Sequence, residues 1–436
     1  MKVSRQFAGL CVVMAALPGC MNNYGDGPVL RFLGAVPGVV EPSDAIVEQA
    51  VVRSTADSEI IDALRMRPSV LMPGTPYATV AEAVIASNAR VAEAELHVAA
   101  LRAEAARRNW LPRLGPRVSL NSLGDFVADL VVQQVLFDNG RKVAERDLAK
   151  ANVELAAVAL VEDGNDRVYN ALCLYLTVQQ NRDLRGHLDR ALEDMAKFEW
   201  VMQQRVNGGV SDMSDLNVLQ QKSATLRARS GEAASAAITA MAELNAMAAQ
   251  PLDGLSGLGG LRAADAGRAL PVLRAEAERE KVMAEARIAR ASHLPGLAGS
   301  AASDGSARLE VTTDSPFGLG SRADMKAIEA TKETAERRVT QADEDVRRRI
   351  ASRTRQLEAY RYQAEQVRGL TVNAKRNLEL FQAQFEGGQR QAMDVVGTYE
   401  TFARALETEI DLKYKAARAE LDLARLKGAL AEGARI

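Results

Sequence analysis

The sequence predicts a mainly α-helical protein with a small β part, in which long antiparallel coiled-coil helices form two repeats, each carrying one β-hairpin. Three observations predict this. All thirteen prolines of the 436-residue chain lie at or before position 116 or within 251–316, leaving 117–250 and 317–436 without any. Proline removes an amide donor and clashes with the preceding helical turn, so proline-free windows can hold very long helices. Apolar residues in both windows recur at spacings of three and four. Finally, three landmarks of the first half return in the same order in the second, at a nearly constant offset of about 180 residues.

The elements follow in chain order. Lys2 and Arg5 precede an apolar run, Phe7 to Leu17, that is too short to span a bilayer. It ends in Leu17-Pro18-Gly19-Cys20, which looks like a bacterial lipobox. Residues 1–20 are therefore read as a lipoprotein signal peptide, with Cys20 as the lipidated first residue of the mature chain. Met21 follows, where an Asp would suggest inner-membrane retention, so the outer membrane is the expected destination. Residues 21–76, with several Pro and Gly, are read as an extension or tether. Residues 77–250 form the first repeat, 251–270 a linker and 271–436 the second repeat.

Within the first repeat, Pro112 and Pro116 open a segment that Gly124-Asp125 divides and Gly140 closes. Its second limb, Asp125 to Phe137, is rich in β-formers, so Arg113–Phe137 is read as two strands of transmembrane length. The matching segment, Pro295 to Phe317 with Asp304-Gly305 as its turn, is more polar and reads less clearly as strand. Helices from Arg141 to Val206 and from Arg322 to Phe385 would each span on the order of 100 Å. Each stops at a double glycine, Gly208-Gly209 or Gly387-Gly388. The returning helices show one apolar stripe each. In the second repeat it runs through Val395, Tyr399, Phe402, Leu406, Ile410, Tyr414, Ala417, Leu421 and Ala424.

Composition narrows the function. The net charge of −2 makes no electrostatic case for nucleic acid as partner. Of three cysteines, only Cys173 remains after the signal and Cys20, and it is read as a small buried hydrophobe. His97, His187 and His293 lie far apart, and no hydrolase or metalloprotease signature occurs, so neither an enzyme nor a cofactor or metal site is expected. The glycine-rich stretch 254–260 lacks the Lys-Ser/Thr ending of a phosphate loop and reads as linker. No segment after residue 20 is apolar enough for a transmembrane helix, so a membrane crossing would have to be a β-barrel. Four strands cannot close one, but several copies sharing a barrel and a helical tube can.

The chain resembles the TolC-type outer membrane efflux family over roughly residues 78–430. The motifs are Leu111-Pro112 and Leu294-Pro295 entering the strands and Leu136-Phe137-Asp138-Asn139-Gly140-Arg141 leaving them. At the hairpin tip they are Arg205-Val206-Asn207-Gly208-Gly209-Val210-Ser211 with Asp215-Leu216. The resemblance implies a homotrimer with a 12-strand β-barrel in the outer membrane and a 12-helix periplasmic tube whose tip closes as an iris. It implies a periplasmic adaptor docked at the tip and an inner-membrane transporter beyond it. By that resemblance Ser214, Asp215, Phe385, Arg390 and Asp394 match the periplasmic gate, and Gly208, Gly209, Gly387 and Gly388 contact the adaptor. Phe385 stands where the family often has Tyr, which removes a hydroxyl bond. Gly397 stands where a second acidic ring could lie. The first hairpin and Asn109-Trp110-Leu111-Pro112 resemble the type I protein-secretion branch; small-molecule efflux shares the architecture. A lipid-anchored periplasmic coiled-coil adaptor or scaffold is the competing reading, and it leaves the paired hairpins unexplained.

Overall fold

A computed structural model describes residues 58–87, 91–120, 126–262, 267–303, 305–313, 318, 320–387 and 389–432. The signal segment with Cys20, the turn residues Gly124, Asp125 and Asp304, and Gly388 lie outside them.

In chain order the elements are α1 (Glu59–Arg65), α2 (Pro76–Ile85), α3 (Val91–Arg107), β1 (Arg113–Leu120) and β2 (Phe126–Phe137). There follow α4 (Arg141–Asn207), α5 (Met213–Met247), α6 (Leu270–Ser292), β3 (Gly296–Ala302), β4 (Ala307–Thr312), α7 (Ser321–Glu386) and α8 (Ala392–Leu426). The two expected long helices are present at 67 and 66 residues, about 100 Å each at 1.5 Å per residue. The hairpins also form, but the second is shorter than expected, with strands of 7 and 6 residues within the predicted 295–317. Its small residues, Gly296, Ala298, Gly299, Ser300, Ala301 and Ala302, offer little side-chain surface for cross-strand packing.

The strands pair in the order β1-β2-β3-β4, all neighbours antiparallel, so the hairpins of the two repeats lie side by side in one sheet. Asp138 starts α4: its carboxylate accepts from the amides of Gly140 (3.1 Å) and Lys142 (2.7 Å). The next residue ties the repeats together, with the Asn139 amide donating to the Pro295 carbonyl at 2.9 Å.

Among the described residues, three apolar clusters hold the helices. One joins α1, α3, the Val153–Val161 stretch of α4 and the start of α6. A second joins α2, the Val168–Val178 stretch of α4, the end of α5 and the end of α8. The third lies at the far end, where the two helical hairpins meet. The predicted stripes point into these clusters: Val395, Tyr399, Tyr414, Leu421 and Ala424 are buried on α8, and Leu216, Leu219, Ala233, Met241 and Leu244 on α5. Cys173 is half-buried rather than buried, and burial pushes its thiol up from the usual value.

Residues 58–76 dock on this frame. Ser58 caps α1, accepting from the Ile61 amide, and donates to buried Glu154 of α4 at 2.7 Å. Arg67 is 4% exposed. Its guanidinium donates to the carbonyls of Lys427 (2.7 Å) and Gly428 (3.3 Å), and to that of Arg268. A buried cation is thus spent on the carbonyl end of α8, where orphan acceptors and the helix dipole favour it. Gly428 must be glycine, because its φ is +67° and a Cβ would meet Leu270 at 2.5 Å and Arg67 at 2.6 Å. Arg67→Ala is expected to destabilise the fold by about 3 kcal/mol, since it leaves several buried carbonyls without a donor. Denaturant midpoints of wild type and variant check this; a change of a few tenths would show that water replaces the guanidinium.

Candidate functional site

The described residues present two special ends: a four-stranded sheet, and a double helical tip about 100 Å away along the long helices.

At the sheet end, register decides which side chains share a face. Leu114 pairs with Val132 and Pro116 with Leu130; Val132 pairs with Ala301, which pairs with Ala307. Gln134 pairs with Gly299, which pairs with Leu309, and Leu297 pairs with Val311. These residues form one face, apolar except for Gln134. Gly299 lets Leu136 and Leu309 close over it, since a Cβ there would lie 3.6 and 3.7 Å from them. The opposite face gathers Arg113, Arg117, Asp129, Gln133, Ser300, Arg308, Glu310 and Thr312, with Val131 and Val135 as its larger apolar members. The apolar face is bare: Leu309 is 72% exposed, Val311 70%, Leu114 65% and Leu130 50%. The polar composition of the second hairpin therefore conceals an apolar stripe continuous with the first. Among the described residues neither outer strand, β1 nor β4, has a neighbour on its outer edge, and Pro116 sits on an edge strand, where a missing amide is tolerated.

At the other end each long helix stops in the same way. The amide of Val210 donates to the Arg205 carbonyl at 2.9 Å, and that of Gln389 donates to the Gln384 carbonyl at 2.9 Å. Such six-to-one bonds close a helix through a left-handed residue. In the first tip it is Gly209, with φ +70°. The tips pack on each other through Met195, Phe198 and Met202 of α4, Leu216 and Leu219 of α5, Leu378 of α7, and Val395, Val396 and Tyr399 of α8. Burial, chiefly, and nearby Asp194 push the Tyr399 phenol up, so the ring enters this cluster neutral.

The described residues assigned by resemblance lie at these tips, but they are not brought into one bonded group. Ser214 is exposed and Asp215 half-buried in the first turn of α5. Asp394 is exposed in the first turn of α8. Arg390 stays on its own hairpin, donating to Gln384 Oε1 at 3.1 Å and stacking 4.5 Å over the Phe381 ring. Among the described residues it pairs with neither Asp215 nor Asp394. Gly208, Gly209 and Gly387 are exposed at the extremity. One contact that crosses between the tips comes from a residue to which sequence reasoning assigned no role. Arg205 places its guanidinium 4.8 Å over the Phe385 ring. Phe385 lacks a hydroxyl yet still receives a partner through its face. The signal was present: Arg205 is the cation three residues before Gly208, at the end of the stripe that carries Phe198 and Met202.

Above the tip, His187 of α4 is almost fully buried against α8, edge-on to Phe402 at 6.5 Å. Burial holds its pKa below the usual value; its ring bonds the Ala403 backbone, and Nε2 has no partner among the described residues. The charges facing it are Arg190 on its own helix, Arg229 on α5 and Glu407 on α8, the last two paired at 2.8 Å. The folded state therefore resists protonation more than the unfolded chain does. Stability is full above the unfolded value of about 6.5 and falls as pH drops below it. Denaturant midpoints measured at pH 7.5 and 5 should differ more in wild type than in His187→Gln; equal differences would remove His187 from the account.

Among the described residues no helix is long and apolar enough to cross a membrane, and no group of three His, Cys, Asp or Glu could hold a metal ion. No protein-family model matches the sequence, and no curated protein matches it. Solved structures do. A membrane protein from Pseudomonas aeruginosa superposes with a TM-score of 0.74 at 16% identity, over 84% of this chain and 93% of that one. The outer membrane protein VceC of Vibrio cholerae gives 0.70 at 15%, over 81% and 97%. The outer membrane channel CmeC of Campylobacter jejuni gives 0.68 at 14%, over 83% and 87%. The chain thus has the fold of solved TolC-type outer-membrane channels.

Proposed function

We propose that the protein is an outer-membrane channel subunit of a tripartite export system: a passive, gated conduit, not an enzyme, for substrates delivered by an inner-membrane transporter through a periplasmic adaptor. The observation that carries this reading is the four-stranded sheet, apolar on one face, polar on the other and open at both edges. Open edges are ready to pair with another chain, and an apolar face on a closed barrel faces lipid. Three copies joined β1 to β4 supply twelve strands around a polar lumen, and their helical hairpins continue it as a tube. The likeness to solved outer-membrane channels supports the same arrangement.

In this assembly the tips form the gate, with Ser214, Asp215, Phe385, Arg390 and Asp394 around it, and Gly208, Gly209, Gly387 and Gly388 meet the adaptor. Cys20 anchors the chain to lipid; labelled fatty acid should enter wild type and not Cys20→Ala. The cargo is a secreted protein or a small molecule, separated by assaying a deletion strain for missing exported proteins and for drug sensitivity.

The test of the channel is conductance of purified protein in a planar bilayer, alongside heat-modifiable oligomers in outer-membrane fractions. Discrete openings from trimers support the reading. Folded protein that neither oligomerises nor inserts would favour a lipid-anchored periplasmic scaffold.

A further inference from the structure

The stretch 346–357 of α7 contains Arg347, Arg348, Arg349, Arg353 and Arg355 and no carboxylate. Five positive charges thus crowd into about 17 Å of helix. Arg347 and Arg348 each reach back to an acidic residue, Asp343 and Asp345, and Arg355 reaches forward to Glu358, all at 2.8 Å. Arg353 pairs with Asp422 on α8 at 2.9 Å. Arg349 has no ion-pair or hydrogen-bond partner among the described residues. Arg348, Arg349, Ser352 and Arg353 line an open hollow of about 580 Å³ between α7 and α8, with Asp422 and Leu426 on the α8 side.

We infer that this hollow is a binding site for a soluble multivalent oxyanion of the phosphate or sulfate class. Arg348 is already paired with Asp345 and Arg353 with Asp422, so the uncompensated charge is that of Arg349, and an anion with several oxygens can share the three guanidiniums. Guanidinium forks match phosphate and sulfate oxygens in pairs, and the Ser352 hydroxyl adds a donor beside them. Place in the fold excludes two other sources of negative charge. Arg349 lies 28 residues from the start of α7, about 42 Å from the sheet, beyond the reach of a lipid headgroup there. It lies about 55 Å from the tip, away from anything docked on the glycine turns. This inference stands apart from the conduit reading and needs neither insertion nor a gate.

The test is binding of inorganic pyrophosphate to the purified full chain in detergent, by calorimetry and by thermal shift, with sodium chloride holding ionic strength constant. Wild type should bind about one pyrophosphate per chain and unfold at a higher temperature with it than without. Arg349→Ala should weaken binding at least tenfold and Arg348→Ala/Arg349→Ala should abolish the shift. Both should melt like wild type without ligand, because these side chains are exposed on a helix where Ala is favourable. Arg368→Ala, an exposed arginine elsewhere on α7, should bind as wild type does. No binding by wild type overturns the inference. So does a shift that survives in the double variant, or one that Arg368→Ala loses equally, because either shows unspecific charge screening.

Discussion

Leu309→Arg is expected to prevent assembly in the membrane, whereas Arg308→Glu, its immediate neighbour, should leave assembly intact. Leu309 lies on the bare apolar face, in register with Gly299, which pairs with Gln134. Arg308 lies on the polar face, paired with Ser300. An arginine facing lipid costs about 2–4 kcal/mol at the bilayer midplane, and a barrel of three chains incurs that cost three times. On the polar face a reversed charge stays in water. The measurement is the fraction of protein recovered as heat-modifiable oligomer in carbonate-washed outer membranes. Leu309→Arg should fall at least tenfold below wild type. Equal loss in both variants, or in neither, would mean that the two faces are not distinguished by lipid and would remove the barrel from the proposal.

Arg205→Ala should produce the larger of two effects at the tip. Its guanidinium joins the first hairpin to Phe385 of the second, whereas Arg390 stacks on Phe381 within its own hairpin. A cation–π contact contributes about 0.5–1 kcal/mol when exposed, so in the proposed trimer losing one in each of three chains should shift a closed tip toward open by roughly ten- to a hundredfold. Single-channel recording should therefore show Arg205→Ala open far more often than wild type, with Arg390→Ala in between. Arg205→Lys should recover little, because an ammonium cannot lie flat on the ring. Because the contact lies at a partly buried apolar cluster, the closed state should also resist moderate salt better than an exposed ion pair would. An Arg390→Ala channel more open than Arg205→Ala would return the gate to the charge-pair arrangement that the resemblance implies.

Much of the helical frame was legible in the chain. Absence of proline marks where α4, α5, α7 and α8 run, and doubled glycines mark where α4 and α7 stop. Recurrence of Phe137-Asp138-Asn139-Gly140-Arg141 as Phe317-Gly318-Leu319-Gly320 shows that a hairpin precedes each long helix. Such signals are local: a helix stop needs only a residue that tolerates positive φ, and a stripe needs only its own period. The docking of residues 58–76 was not legible. Ser58 and Arg67 act on Glu154, Lys427 and Gly428, which are remote along the chain, and nothing in their own neighbourhood announces those partners. The tip contact was hidden for a related reason: Phe385 without a hydroxyl looks like a missing bond until the position of Arg205 is known.

What the sequence determined by itself is the order, length and duplication of the four long helices and the place of the hairpins before two of them, because proline, glycine and apolar period act through the backbone of the segment that contains them. What only the tertiary structure decided is which residues of different segments share a surface. Leu309 and Val311 belong to a hairpin of polar composition, yet antiparallel pairing through β3 places them on the same face as Leu130 and Val132. A slip of one residue would turn the whole set to the other side. Composition averages over the two faces of a strand, while lipid and water each meet only one of them.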